Sequence, residues 1–337
     1  MALALYEPGL GYYANDTAKF GLMASSGSDF VTAPEISPVF GQLLAAQVAE
    51  ALVRTGTREV WEFGAGTGAL ALQVLDELDR LGVALDAYTI VDLSGTLRAR
   101  QKLKLVRYEG QVRWADALPA QMRGVVVGNE VLDAMPVQLL MRKGGAWHER
   151  GVVLQAAGGF GWDDRPTDLR PPMEVEGDYD YLTEIHAQGE AFIRTLGEHM
   201  ECGAAFFIDY GFGESEYYHP QRHMGTLVCH RLHQVDEDPL TQLGLKDITA
   251  HVNFTGTAVA AQDAGFELLG YTSQAHFLIN CGLGPKLDAL AQGPRSMAAK
   301  LMMEHEMGEL FKVIGLCKGV EPWPALGFVR GDRSHRL

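Results

Sequence analysis

The sequence predicts a Rossmann-like α/β fold: a seven-stranded sheet with an N-terminal lid segment before it and two insertions within it. Three observations carry this. Residues 59–75, reading E-V-W-E-F-G-A-G-T-G-A-L-A-L-Q-V-L, give an apolar run, clustered glycines and then apolar residues at helical spacing, so they read as buried strand, tight turn and helix. Later apolar runs end in acidic or amide residues, as strands do when their carboxyl ends line a ligand crevice. Near the C-terminus a hairpin-like pair of runs supplies an antiparallel sheet edge.

Residues 1–56 precede the first strand, so they cover the sheet rather than begin it. Within them, residues 27–38 carry turn chemistry. Asp29 and Glu35 there are candidates to face a ligand, with turn capping as the competing role. Ser37 and Pro38 then open a helix whose apolar stripe runs through Phe40, Leu44 and Val48. In the glycine turn, Gly64, Gly66 and Gly68 let the backbone bend sharply and approach a ligand that any side chain would push away. Two cofactors suit such a loop. Gly64-x-Gly66-x-x-Ala69 satisfies the dinucleotide fingerprint, while Glu62-x-Gly64-x-Gly66-x-Gly68 satisfies the acidic loop that takes S-adenosyl-L-methionine. Glu62 favours the second, because its carboxylate repels a pyrophosphate and S-adenosyl-L-methionine carries two cationic groups and no phosphate.

The second strand, residues 87–91, ends in Asp92, placed to accept hydrogen bonds from ribose hydroxyls. A third, residues 111–114, leads to Asp116, where an adenine amino group would lie, with capping as the alternative role. The fourth, residues 124–128, ends in Asn129, assigned to the cofactor, and in Glu130 and Asp133, assigned to the substrate and catalysis. Residues 137–180 break the α/β rhythm as a β-hairpin insertion around Gly144-Gly145. A helix over 181–200 and a strand over 204–208 follow, delivering Asp209 as a further catalytic candidate and Tyr210 as a substrate contact. Residues 212–254 form a second insertion whose histidines lack a recognised ligand spacing, so no metal is expected. A helix over 257–264, a strand over 266–271, helical segments within 285–309 and a strand over 313–317 complete the core. That core comprises 57–136, 181–211 and 255–330.

A net charge of −15 sets the chain against nucleic-acid binding, which needs a positive field. The local exception, Arg98, Arg100, Lys102, Lys104 and Arg107, reads as a solvated helix face. The four cysteines are far apart, which predicts a reducing, cytoplasmic compartment, and no run reaches membrane-spanning length. Met1 leads directly into a helical pattern, so a natural start further upstream is expected. A homo-oligomer is compatible with the sequence.

Together the motifs resemble the MidA family of S-adenosyl-L-methionine-dependent methyltransferases, which includes a mitochondrial complex I assembly factor. The matching residues are 11–13 (G-Y-Y), 27–37 (G-x-D-F-V-T-A-P-E-I-S), 62–68, 129–136, 209–211 (D-Y-G), 247–254 (D-I-T-A-H-V-N-F) and 274–278 (Q-A-H-F-L). They span nearly the whole chain, insertions included. The resemblance implies a class I methyltransferase core and, through the mitochondrial relative, methylation of a protein arginine. Members usually carry a further N-terminal segment, and Asn253 stands where the resemblance leads one to expect Asp. Without a visible transit peptide, a bacterial cytoplasmic member is expected. The function expected is methyl transfer from S-adenosyl-L-methionine to a nitrogen of a protein side chain, arginine favoured. The alternatives are an NAD(P)-dependent oxidoreductase and a non-catalytic assembly factor that keeps the pocket.

Overall fold

Seven strands build the central sheet of the computed structural model, which describes residues 1–15, 31–92 and 95–337. They are β1 (Glu59–Phe63), β2 (Ala87–Val91), β3 (Val112–Ala115), β4 (Met122–Asn129), β5 (Met200–Phe212), β6 (Glu267–Ser273) and β7 (Phe311–Lys318). Their spatial order is β3-β2-β1-β4-β5-β7-β6, with Val252–Asn253 as a short further strand beside β5. β1 to β5 run parallel, and β7 is antiparallel to both neighbours. This is the class I methyltransferase arrangement: a parallel nucleotide-binding half with one reversed strand wedged into the other half.

Period-two alternation decides which side chain meets which layer. From β4 and β5, Val125, Val127, Phe206 and Ile208 face one way, onto helices Val39–Thr55 and Ala69–Arg80. Val126, Ala205 and Phe207 face the other, onto helices Ala187–His199 and Phe254–Asp263. Both central strands therefore bury apolar side chains on both faces, and each large one stabilises the fold by about 1.5–3 kcal/mol.

Several elements differ from the sequence expectation. The first insertion is a four-stranded antiparallel sheet, in which Gln138–Lys143 and Ala146–Leu154 are joined by Phe160–Pro166 and Tyr181–Ile185. Tyr181–Ile185 is thus a strand where a helix is expected, and the helix starts only at Ala187. Tyr181, Thr183 and Glu184 are buried in that short run, a pattern too polar to read as a strand from hydropathy. The second insertion carries a three-stranded sheet, with Val228–Arg231 between Gln234–Asp236 and Asp247–Thr249. Asn253 caps helix Phe254–Asp263, its Oδ1 accepting from Gly256 N at 3.1 Å, a task an aspartate performs equally well. Among the described residues no helix is long and apolar enough to cross a membrane.

Candidate functional site

At the carboxyl ends of β1, β2, β4 and β5 lies a cavity of about 1270 Å³. Such crevices are where α/β sheets take ligands, and this one exceeds the ~300–1,000 Å³ typical of a single small-molecule site. Residues of the glycine turn, the N-terminal segment and the second insertion all line it.

One end is the glycine turn. Gly64, Gly66 and Gly68 adopt φ of +65°, +51° and +80°, and a Cβ on Gly64 would stand 2.9 Å from Val131 Cγ2. Side chains are excluded there by conformation as much as by space. Gly64 and Gly66 line the cavity, whereas Gly68 lies behind it as the cap of helix Ala69–Arg80. Glu62 is buried, accepts from Tyr88 Oη at 2.7 Å, and is pushed up to about 8 by burial, with Tyr88 opposing and Asp92 adding to the shift. Asp92 lines the cavity at the end of β2, as expected.

Gln101 is the residue that sequence reasoning missed at this end. Fully buried on helix Gly95–Lys104, it donates to Gly66 O at 3.0 Å and Asp92 Oδ2 at 2.8 Å, and accepts from Trp114 Nε1 at 2.9 Å. One amide thereby fixes the glycine turn against the ends of β2 and β3. Its place in a Leu97, Gln101, Leu105 stripe at helical spacing was the available signal. Arg98, on the same helix, is not the solvated cation expected. It donates to the backbone oxygens of Asp92 and Ala115 and pairs with Asp116. Asp116 does line the cavity, but it is the exposed partner of that pair.

Glu35 accepts from the Thr67 hydroxyl, and Lys104 Nζ, 3.9 Å from Glu35, donates to Thr67 Oγ1 at 2.9 Å. Residues 31–36 are therefore latched to the glycine turn. Asp29 lies outside the described residues.

Beside the glycine turn, past the end of β4, the wall is acidic and aromatic. Asn129 donates to Glu130 Oε1 at 2.9 Å, and Glu130 holds a left-handed backbone at φ +53°. Glu130 is pushed up to about 8 by burial and by Asp133, while Asn129 and the Ala33 N–H oppose the shift. Asp133 is pushed up to about 6 by burial, with a Tyr210 hydrogen bond opposing. Asn129 Oδ1 and Asp133 Oδ1 are buried without a hydrogen-bond partner. Tyr210 lines the cavity as expected, edge-on to His251 and Phe311.

Asp209 is a correction. It does not line the cavity; its Oδ2 accepts from the backbone N–H groups of Val131, Leu132 and Asp133, and its Oδ1 from Tyr210 N. A carboxylate so engaged holds the turn that carries Glu130 and Asp133 rather than facing a reactant in the cavity. No helix follows β4 for Glu130 or Asp133 to cap.

Another wall holds Tyr13 from the N-terminal segment and Asp247 from the second insertion, which the sequence singled out only through the family resemblance, and Tyr6, which it did not single out. Eight carboxylates line the cavity (Glu35, Glu62, Asp92, Asp116, Glu130, Asp133, Asp247 and Glu306) against one lysine, Lys300, among the described residues. Lys300 is itself 3.5 Å from Glu306. The lining suits cationic ligands. Among the described residues no group of three or more His, Cys, Asp or Glu is placed to hold a metal ion.

This electrostatic arrangement predicts an inverted pH dependence of stability. Glu62, Glu130 and Asp133 have ordinary values of 4.5, 4.5 and 3.8, and all three are raised in the fold, to about 8, 8 and 6. The folded state thus binds more protons than the unfolded one, so their contribution is complete below about pH 4 and is lost as pH rises through 6 to 8. Ligand-free protein should melt at lower temperature at pH 8 than at pH 5.5, and Glu130→Gln should flatten that slope. A melting temperature that rises over this interval would show that these groups are not buried as described.

Residues 43–272 match a family model described as "Putative S-adenosyl-L-methionine-dependent methyltransferase". A crystal structure from Burkholderia thailandensis, bound to S-adenosyl-homocysteine, is 49% identical, with a TM-score of 0.95 over 100% of this chain and 90% of that one. Among curated proteins, the mitochondrial protein arginine methyltransferase NDUFAF7 of Danio rerio is 26% identical, covering 91% of this chain and 78% of its own length. The Caenorhabditis elegans homologue is 24% identical over 87% of this chain and 74% of its own.

Proposed function

The chain belongs to this family of S-adenosyl-L-methionine-dependent methyltransferases, and from that premise we propose that it methylates a side-chain nitrogen of a protein, with arginine the favoured acceptor. Its own residues fit the cofactor. Gly64 and Gly66 line the cavity with left-handed backbone that leaves it free of side chains, Asp92 would hold the ribose, and Glu62 faces the loop with a carboxyl group rather than a phosphate-binding cation. When bound, S-adenosyl-L-methionine supplies a sulfonium methyl open to in-line attack.

The observation that carries the acceptor reading is the pair Glu130 and Asp133, which line the cavity beside the glycine turn on a turn held by Asp209. A guanidinium keeps its proton up to a pKa of about 13.8, so an arginine acceptor must be oriented as a cation, and carboxylates do this bidentately. The nitrogen that gains the methyl gives up one proton, which an adjacent carboxylate is placed to take. Latching of residues 31–36 over the glycine turn keeps water from the reacting centre. The naming of the Danio rerio and Caenorhabditis elegans relatives as arginine methyltransferases supports the same acceptor.

Tritiated S-adenosyl-L-methionine incubated with the protein and a cell lysate, followed by mass spectrometry of the labelled band, tests the proposal. Label is expected on an arginine of a protein. Label on a lysine, a carboxylate or a small molecule would refute the arginine assignment while leaving methyl transfer standing. No label in any fraction would favour the non-catalytic assembly factor.

A further inference from the structure

Tyr13 and Asp247 are 234 residues apart in sequence, yet Tyr13 Oη lies 2.9 Å from both Asp247 carboxylate oxygens. Asp247 is buried, and its Oδ1 also accepts from Ile248 N at 2.9 Å. Tyr13 is itself fixed, stacked on Tyr6 at 5.6 Å and edge-on to Tyr12 at 5.0 Å. The strand carrying Asp247 is tied to the catalytic turn, because Ala250 N donates to Asp133 O at 3.0 Å. Tyr6 Oη reaches the next carbonyl, Ala134 O, at 2.9 Å. Two segments outside the sheet therefore bring a third carboxylate and a stacked tyrosine pair to the wall that holds Asp133.

We propose that Asp247, oriented by Tyr13, is a specificity-determining contact of the acceptor site that grips the guanidinium together with Glu130 and Asp133. The inference rests on the arginine reading above. An independent observation points to a ligand here: Asp133 Oδ1 and Asn129 Oδ1 are both buried acceptors with no hydrogen-bond partner, and both residues line this part of the cavity. Buried acceptors left unmatched are costly, and what they lack is donors. A guanidinium brings five N–H donors in a plane, whereas a lysine ammonium brings three from one point. Carboxylates reaching the site from two separate elements, with tyrosine rings beside them, match a flat cation approached from more than one side. Glu130 and Asp133 alone would bind positive charge; the added carboxylate from another wall selects for the planar, many-donor cation. Tyr13 is a positioning residue in this scheme, since its hydroxyl is spent on Asp247.

The test is binding of N-acetyl-arginine amide, with the lysine and the neutral citrulline counterparts, to protein saturated with S-adenosyl-homocysteine. Saturation-transfer NMR is the readout. Wild-type protein is expected to bind the arginine probe and reject citrulline. Asp247→Asn should weaken the arginine probe about tenfold or more and Tyr13→Phe several-fold. Both variants should keep wild-type affinity for S-adenosyl-homocysteine, a property that misfolding would abolish. Should the arginine probe bind Asp247→Asn and Tyr13→Phe as tightly as wild type, the proposal is overturned while the arginine reading survives. If wild-type protein takes the lysine probe in preference to arginine, the arginine reading falls and the guanidinium proposal with it.

Discussion

Replacing Glu130 by glutamine is expected to lower methyl-transfer turnover on the order of 100-fold or more while leaving affinity for S-adenosyl-L-methionine nearly unchanged. The substitution keeps size and shape and removes only the charge. Glu130 sits just past the end of β4, and its partners are Asn129 and the Ala33 N–H, neither of which belongs to the glycine turn. An amide there can still accept from Asn129, so the fold has little reason to change. What disappears is the carboxylate proposed to orient the acceptor and take its proton. Calorimetry with the cofactor and initial rates on the labelled protein separate the two effects. A variant with full turnover would remove Glu130 from the chemistry; a variant that also loses the cofactor would make Glu130 a cofactor contact instead.

Gly66→Val should abolish cofactor binding outright. At φ +51° a β-branched residue is a conformational outlier, and its side chain would stand in the backbone-lined part of the cavity. The Gly66 carbonyl is also one of the points that Gln101 holds, so displacement of the loop would reach Asp92 through the same amide. Calorimetry against S-adenosyl-L-methionine and S-adenosyl-homocysteine should show no saturable heat, with circular dichroism confirming that the sheet is intact. Retained wild-type affinity would mean that the cofactor does not lie against this loop.

The glycine turn, Asp92 and the Glu130–Asp133 turn were legible in the sequence because each is a local signal. A conformation that only glycine tolerates, or a polar residue ending an apolar run, can be read over a handful of positions. Gln101 was harder, since an amide in a basic helix declares nothing until its helical face is counted against Leu97 and Leu105. Asp209 was misread for a related reason. A carboxylate after an apolar strand looks the same whether it points into the crevice or back beneath it, and the three N–H groups it serves lie 76 to 78 residues away. Tyr13 and Asp247 could not be paired by any local rule, because only the packing of both added segments onto the sheet brings them together. The strand Tyr181–Ile185 was lost to its own polarity: its buried Glu184 accepts from Thr226, Leu227 and Tyr217, partners supplied by the second insertion.

The left-handed backbone at Glu130 carries a consequence for how this position would fare under selection. A non-glycine residue held at φ +53° costs the fold on the order of 1–3 kcal/mol, a penalty that glycine would not incur and asparagine would reduce. A population of variants screened for thermal tolerance alone would accumulate glycine at position 130, drifting toward hardier proteins that lack this carboxylate. Under the function proposed above, retaining glutamate there trades robustness for chemistry at a single residue, and position 130 is a site to hold fixed in any stabilisation campaign.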